Sequence, residues 1–379
     1  MINIGITGQN GFIGTHLINT LKLYNNQYNI IEFDDTNFSN NLFLQKFVKK
    51  CDIIIHLAAK NRHEDENALY EININLIESL INACEITDAH PSIIFTSSIQ
   101  QDLDNSYGKS KKHGWNLLNS WAKKNNENVT CLIVPNVYGP FGKPFYNSVV
   151  ATFCHQLTRE IEPIIKNDSK LKLIYVGELV NDILILIESF KKTIKREYSS
   201  NIVVIKDTIE INITDLLDIL INFKITYFIN GQIPNLDTNF ARNLFHTFIC
   251  YIDYLKFYPF VLKSNIDERG NFVEILKLET GGQISFSSTK PGVIRGNHFH
   301  TNKIERFAVI KGKARIKFRR VGTNHLYEFD VDSNKPCFID MPIWHTHNIT
   351  NTGTEDLYTI FWISEIYNKN IPDTYFENV

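Results

Sequence analysis

Eight residues near the N-terminus, Thr7-Gly8-Gln9-Asn10-Gly11-Phe12-Ile13-Gly14, restrict what this chain can fold into more than any other stretch. Before them, Ile2, Ile4 and Ile6 alternate as in a short strand; after them, Ile13, Leu17 and Leu21 fall at the spacing of a buried helical stripe. Three glycines at intervals of three have separate physical tasks. Gly8 permits a tight reversal, Gly11 lets the backbone approach a pyrophosphate, and Gly14 lets helix and strand pack closely. The free N–H groups at the helix start then face the anion. The unit predicts an α/β fold, a Rossmann-type doubly wound parallel sheet, with a dinucleotide held by Gly8, Gly11, Phe12, Ile13 and Gly14.

Asn29 to Phe33 predicts a second strand, ending in Asp34-Asp35. Asp34 stands 26 residues after Gly8, where an acid hydrogen-bonds the adenosine ribose hydroxyls. A carboxylate there favours NAD over a cofactor bearing a 2′-phosphate. Ile53 to Ala59 is a continuous apolar run broken only by His56, as suits a parallel strand buried on both faces. At its end Leu57, Ala58 and Ala59 leave room for the cofactor. Ile93 to Ser98 repeats the pattern and ends in hydroxyls, at the sheet edge where ligands bind in such folds.

Tyr107 and Lys111 follow, four apart at the start of a predicted helix, and so share a face. A free phenol, with a pKa of about 10, is a poor acid–base group near neutrality. A neighbouring ammonium favours the phenolate and lowers that pKa. With Ser98 hydrogen-bonded to the same oxygen, the three residues can protonate a carbonyl oxygen while a hydride reaches its carbon.

Residues 1 to about 190 resemble an extended short-chain dehydrogenase/reductase of the branch that acts on nucleotide sugars. The likeness rests on the glycine turn, His56-Leu57-Ala58-Ala59, Ser98, Tyr107 with Lys111, and Pro135-Asn136-Val137-Tyr138-Gly139-Pro140, all in the family's order. It implies that the loop from Asn136 to Pro140 lies by the nicotinamide and the sugar nucleotide. Two positions depart from the pattern: Ile133 stands where an arginine is frequent, and Gly177-Glu178 where an acidic pair is usual. The next stretch, Gly142 to Ser148, mixes a cation, aromatics and amides as a nucleotide-sugar groove would, with Lys143, Tyr146 and Asn147 as candidate substrate contacts.

From about 190 to 258 we expect a small substrate lobe and a connector, with helices at Ile213–Phe223 and from Asn239 to Leu255 and a turn at Asn230-Gly231. After Asp267-Glu268-Arg269-Gly270 the period changes to two. Ala314, Ile316 and Phe318 point one way, and Arg315, Lys317 and Arg319 the other. Turns at Gly281-Gly282, Lys311-Gly312-Lys313 and Thr352-Gly353-Thr354 bound short strands, which predicts an antiparallel barrel or sandwich. His298 and His300, two apart on a strand, face the same side. With Glu305 and His347 they offer three nitrogens and one carboxylate, a set suited to zinc, iron, nickel or manganese.

The spacing of Gly292, His298, His300, Glu305 and Gly312, with Pro342, His347 and Asn351 downstream, resembles the signature of an all-β cupin, a double-stranded β-helix or jelly roll, over about 259 to 379. Trp344 replaces a usual turn glycine, and His345 is a second candidate to reach inward. A metal-free cupin using these histidines as acid–base groups is the alternative. We expect the reductase and its lobe over 1–258 and the cupin over 259–379.

The whole chain resembles bifunctional capsule and O-antigen enzymes that make UDP-N-acetyl-L-6-deoxytalosamine. Lys143-Pro144 with Tyr146-Asn147-Ser148, Pro291-Gly292 through His300, and the terminal Pro372-Asp373-Thr374-Tyr375-Phe376 carry this likeness. It implies that the cupin inverts C3 of a UDP-linked 4-keto-6-deoxy-HexNAc and that the reductase reduces its C4 ketone. It also implies NADPH, with NADH kept open by Asp34, a zinc or other divalent ion in the cupin, and a homodimer. Two rival readings stand beside it: an idle cofactor sensor tethered to a sugar-binding cupin, and an iron-dependent oxygenase cupin.

Composition bounds the rest. The chain has 379 residues and a formal charge of -2, which lacks the basic footprint of a nucleic-acid partner. Its six cysteines are scattered without a C-x-x-C pair, as expected of free buried thiols. No apolar run is long enough to span a bilayer and no signal peptide is recognised, so we expect a cytoplasmic protein without a membrane partner.

Overall fold

The computed structural model describes residues 1–191, 198–206, 208–262, 264–267, 270–273, 283–365 and 370–379. The expected turns at Asp267-Glu268-Arg269-Gly270 and Gly281-Gly282 fall wholly or partly outside the described residues. The chain forms two compact units, Met1–Tyr138 with Lys170–Ile211, and Gly139–Ser169 with Asn212–Val379.

The first unit alternates strand and helix: β1 (Ile2–Thr7), α1 (Phe12–Lys22), β2 (Tyr28–Ile31), α2 (Asn41–Lys50), β3 (Ile53–His56), α3 (Glu66–Thr87), β4 (Ser92–Ser98), α4 (Ser106–Asn125) and β5 (Asn128–Val134). Then come β6 (Asn136–Tyr138) and, after an excursion through α5 (Val149–Leu157) in the second unit, β7 (Lys170–Tyr175), α6 (Val176–Lys191), β8 (Ser199–Val204) and β9 (Ile209–Asn212). Six strands pair in parallel in the order β2-β1-β3-β4-β5-β8. The order reverses between β1 and β3, the crevice where such sheets bind ligands. Alternate side chains supply two cores. Ile53 and Ile55 join Ile4, Ile6, Leu17 and Leu21 on one face, and Ile54 joins Phe47, Phe95 and Trp115 on the other.

Three expectations change here. β2 ends at Ile31, two residues earlier than read. Residues 199–204, assigned to the small lobe, are the sixth strand of the parallel sheet. As an edge strand it needs no doubly buried apolar run, and its Ser-Ser-Asn start hid it. The Asn136–Tyr138 part of the expected loop is strand β6, paired with β7.

The second unit contains α7 (Ile213–Phe223), α8 (Asn239–Ile249) and α9 (Tyr254–Phe257), then strands β10 (Phe260–Val261), β11 (Ser264–Asp267) and β12 (Gly270–Val273). β13 (Gln283–Thr289), β14 (Ile294–Phe299), β15 (Glu305–Lys311), β16 (Lys313–Arg320), β17 (Leu326–Asp332), β18 (Cys337–Met341), β19 (His345–Asn351), β20 (Leu357–Ile363) and β21 (Tyr375–Phe376) complete it. The helix expected from Asn239 to Leu255 breaks after Ile249, and Tyr251 and Ile252 are buried in the break. Two five-stranded sheets, β10-β18-β15-β20-β13 and β17-β16-β19-β14-β21, make the all-β half. Ala314, Ile316 and Phe318 are buried, as the period of two requires. The fold class, Rossmann-type sheet followed by an antiparallel all-β domain, is the one expected.

The six cysteines are unpaired; five are buried and Cys250 is half-buried. Among the described residues, no helix is long and apolar enough to cross a membrane.

Candidate functional site

The first site grows from the turn between β1 and α1. Gly8 has φ +74°, and a Cβ on it would sit 2.7 Å from the Ala58 nitrogen, so the turn lies directly against the end of β3. A Cβ on Gly14 would fall 2.2 Å from the Gly8 carbonyl oxygen. Gly14 therefore packs the helix onto the turn itself rather than onto the strand. Gly11 is exposed, and among the described residues the only near neighbour of a Cβ there would be that same oxygen, at 3.1 Å. Phe12 and Ile13 begin α1 half-buried. Leu57 donates its N–H to the Thr7 carbonyl at 3.1 Å, and Ala58 is buried with Ala59 half-buried beside it.

The acidic pair divides its work. Asp34 caps a short 3-10 turn, accepting from the Thr36 N–H at 2.9 Å and the Thr36 hydroxyl at 2.5 Å, and these bonds lower its pKa. Asp35, not singled out by the sequence reading, accepts the Gly8 N–H at 2.8 Å. Both carboxylates are exposed.

Tyr107 and Lys111 lie one turn apart on α4, whose start is capped by the Asn105 side chain accepting from the Gly108 N–H at 2.7 Å. Gly108 admits the Gln100 carbonyl, which would stand 2.2 Å from an added Cβ, so α4 abuts the segment that follows Ser98. The Ser98 hydroxyl oxygen accepts from the Gln100 N–H at 3.2 Å and caps that segment. Lys111 is buried, donates to the Thr96 carbonyl at 2.9 Å, and places its ammonium 5.7 Å from the Tyr107 ring centroid. Burial pushes its pKa down to about 8. His56, held by the Thr7 hydroxyl at 2.9 Å, is pushed to about 3 by burial and then by Lys111, and is neutral.

A buried link went unread in the sequence. Asn73 pairs with the Lys60 backbone through both amide atoms, at 2.7 and 3.0 Å, and donates to the Ser110 hydroxyl at 3.1 Å. Ser110 in turn donates to the Tyr107 carbonyl at 2.7 Å. The loop after β3 is thus tied to the helix bearing Tyr107. The signal was present: Asn73 is a polar residue on the stripe of Leu69, Ile77 and Leu80. Asn136 donates its amide to the Lys172 carbonyl at 3.2 Å, across the β6–β7 pair.

Within the second unit, Lys143 lies 5.6 Å from the Tyr146 ring centroid, and Lys143, Tyr146 and Asn147 are exposed.

The all-β half gathers His298 from β14, Glu305 from β15, His347 from β19, and His300 just past β14, with one ligand atom from each inside 4.8 Å of the others. His347 Nε2 is 3.0 Å from one Glu305 oxygen and His300 Nε2 is 3.4 Å from the other. His347 Nδ1 contacts the His345 carbonyl at 3.1 Å and His300 Nδ1 the Asp373 carbonyl. With each Nδ1 held by a carbonyl, each Nε2 faces the cluster, the orientation that metal-ligating imidazoles take. His300 Nε2 is buried with no hydrogen-bond partner among the described residues. Burial raises the Glu305 pKa, but the neighbouring His300 and His347 rings outweigh it and hold the carboxyl well below the usual carboxylate range. Burial, then His347 and His300, pushes His298 down to about 4. Three imidazoles and one carboxylate converging on one point, with an orphaned inward nitrogen, fit a divalent ion.

His345 is not in the cluster. Its ring packs edge-on against Tyr254 and Phe318, at 5.6 and 5.9 Å, and its Nδ1 contacts the Ile343 carbonyl at 2.9 Å. Trp344 adopts φ +57°, the left-handed conformation that explains the glycine usual there, and its ring stacks on Phe299.

Comparison with known proteins places this architecture. The profile of the NAD dependent epimerase/dehydratase family matches residues 4–202, more than half of the chain. The chain belongs to the NAD-dependent epimerase/dehydratase family. A second profile, the polysaccharide biosynthesis C-terminal domain, matches residues 265–375. Among curated members, the chain is 32% identical to a UDP-2-acetamido-2,6-beta-L-arabino-hexul-4-ose reductase of Pseudomonas aeruginosa, over 98% of this chain and 97% of that one. Among solved structures, it is similar to the capsular polysaccharide assembling protein CapF from Staphylococcus aureus, 33% identical over the full length of both, with a TM-score of 0.63. A UDP-glucose 4-epimerase from Thermotoga maritima, 18% identical over 66% of this chain and 98% of that one with a TM-score of 0.53, shares the fold of the family.

Proposed function

We propose that the chain is a bifunctional nucleotide-sugar enzyme. Residues 259–379 invert C3 of a UDP-linked 4-keto-6-deoxy-HexNAc, and residues 1–258 reduce the C4 ketone. The product is UDP-N-acetyl-L-6-deoxytalosamine for capsule or O-antigen synthesis. One observation carries the reductase: a buried Lys111 ammonium one helical turn from Tyr107. The near full-length likeness to a curated UDP-sugar ketone reductase supports the substrate class.

When bound, the nicotinamide supplies a hydride, and a divalent ion held by His298, His300, Glu305 and His347 supplies positive charge beside developing oxyanions. The chain does the rest. The N–H groups at the start of α1 hold the pyrophosphate, and the turn that leads into it is fixed by the Gly8 N–H to Asp35 bond. Tyr107 gives its phenolic proton to the C4 oxygen, Ser98 hydrogen-bonds the same oxygen, and Lys111 stabilises the phenolate left behind. The C3 proton is acidic because C4 is a ketone, so a base can remove it and return it to the other face. Reduction at C4 abolishes that acidity and locks the new configuration; epimerisation therefore comes first. Lys143, Tyr146 and Asn147 are the proposed contacts to the nucleotide sugar. We take NADPH as the reductant, with NADH as the competitor that Asp34 favours.

Incubation with a UDP-4-keto-6-deoxy-HexNAc and NADPH in deuterated water tests the scheme. NMR of the product should show deuterium at C3 and an inverted centre there. Protium retained at C3 would overturn the epimerase step, and an unreduced C4 ketone would overturn the reductase.

A further inference from the structure

The terminal Pro372-Asp373-Thr374-Tyr375-Phe376 has no part in the chemistry above, yet several of its groups are engaged by the strand and loop that carry His298 and His300. The Pro372 carbonyl accepts the buried Lys303 ammonium. The Asp373 carboxylate accepts the Thr301 N–H at 3.0 Å, the Thr301 hydroxyl at 2.6 Å and the Asn302 N–H at 2.9 Å. The Asp373 carbonyl accepts His300 Nδ1. Tyr375 stacks on Phe299, and β21 pairs Phe376 with His298 and Tyr375 with Phe299. Asp373 itself is held at φ +42°, a conformation that aspartate and asparagine tolerate better than most side chains.

Resting on the metal reading above, we infer that Asp373 is a positioning residue for the metal centre: the C-terminal segment fixes the tautomer and orientation of His300. The geometry gives the cause. Three hydrogen bonds to the carboxylate set the left-handed backbone of Asp373, and that backbone aims its carbonyl at His300 Nδ1. A proton held on Nδ1 leaves Nε2 as a lone pair directed at the other three ligands. Without the carboxylate, the carbonyl loses its fixed direction and His300 is free to rotate or to take its other tautomer.

Full-length Asp373→Ala, Asp373→Asn and His300→Ala proteins, stripped with a chelator, are titrated with zinc against a chromophoric competitor. Each is also loaded with cobalt(II) for its visible ligand-field spectrum. Asp373→Ala should weaken zinc binding by about 10–100-fold, the usual effect of losing the partner of a metal-bound histidine. Its cobalt spectrum should move toward that of His300→Ala, a change that loss of general stability does not produce. Asp373→Asn keeps the backbone tolerance but only one of the two acceptor oxygens, so it should weaken zinc binding by only about two- to tenfold and keep a spectrum close to wild type. If Asp373→Ala does not fold, Asp373→Asn decides: weaker binding by about two- to tenfold supports the inference, and unchanged binding overturns it. Zinc affinity of folded Asp373→Ala within twofold of wild type, with an unchanged spectrum, also overturns it while leaving the metal centre intact. A wild-type protein that binds neither ion sinks the metal centre and this inference together.

Discussion

Replacing Lys111 with methionine should move activity and stability in opposite directions. The ammonium stands 5.7 Å from the Tyr107 ring centroid. At that distance and an effective dielectric of about 20, one charge is worth about 3 kcal/mol to a phenolate. That corresponds to about two pH units in the tyrosine pKa, or about a hundredfold in a rate that depends on it. The stability side has the other sign. Burial lowers the Lys111 pKa to about 8, so the folded state holds a charge it disfavours, at a cost of about 3 kcal/mol near neutrality. Methionine removes that cost but leaves the Thr96 carbonyl without its 2.9 Å donor, a loss of about 1–2 kcal/mol. Lys111→Met should therefore be about 1–2 kcal/mol more stable by urea unfolding while its kcat/KM for the keto sugar falls about a hundredfold. The pH dependence follows. The ammonium is present below about pH 8 and lost above it, so wild-type reduction should decline as pH rises through that value. Wild-type stability should rise from there toward the ordinary lysine pKa of about 10.4, because the unfolded chain binds the extra proton. Lys111→Met should show neither trend. A methionine variant reducing at the wild-type rate, with the same pH profile, refutes the assignment.

Other outcomes can be checked in parallel. Gly14→Ala puts a methyl carbon 2.2 Å from a backbone oxygen that cannot yield, and overpacking of about 1–3 kcal/mol should appear as weaker NADPH binding in a fluorescence titration. An unchanged Kd would count against the turn as the pyrophosphate site. Asp34→Ala removes the carboxylate proposed to face the ribose and should shift the kcat/KM ratio toward NADPH; no shift removes Asp34 from cofactor choice. Asp340→Ala leaves the fully buried Arg306 without the two hydrogen bonds, at 2.8 and 3.0 Å, that neutralise it, and should cost about 3–5 kcal/mol in urea unfolding. A cost below about 1 kcal/mol would mean the guanidinium relaxes into water. Chelation should suppress deuterium entry at C3 and leave NADPH affinity unchanged; equal loss of both would tie the ion to the whole chain rather than to the barrel.

The parallel sheet was legible because its central strands are buried on both faces and so spell continuous apolar runs. β3 and β4 could be read directly from Ile53–Ile55 and Ile93–Phe95. β8 could not, since an edge strand with two exposed residues at its centre satisfies no such pattern. The helix starting at Asn239 was read through its end because buried Tyr251, Ile252 and Tyr254 continue an apolar sequence after the helical hydrogen bonds have stopped. Periodicity reports burial and not backbone conformation, and at Ile249 the two part company.

The same distinction governs the barrel histidines. A period of two puts His345 and His347 on one face of β19, so pattern alone cannot separate them. What separates them is the company each side chain keeps. His347 meets a carboxylate from the opposite sheet at 3.0 Å, whereas His345 meets the rings of Tyr254 and Phe318. Those neighbours come from α9, β15 and β16, elements remote in sequence from β19, and only their packing decides which imidazole is offered a partner charge. A ligand set read from spacing is therefore a statement about which residues share a face. Which of them meets the carboxylate is decided by the second sheet, whose β15 brings Glu305 to His347 and not to His345.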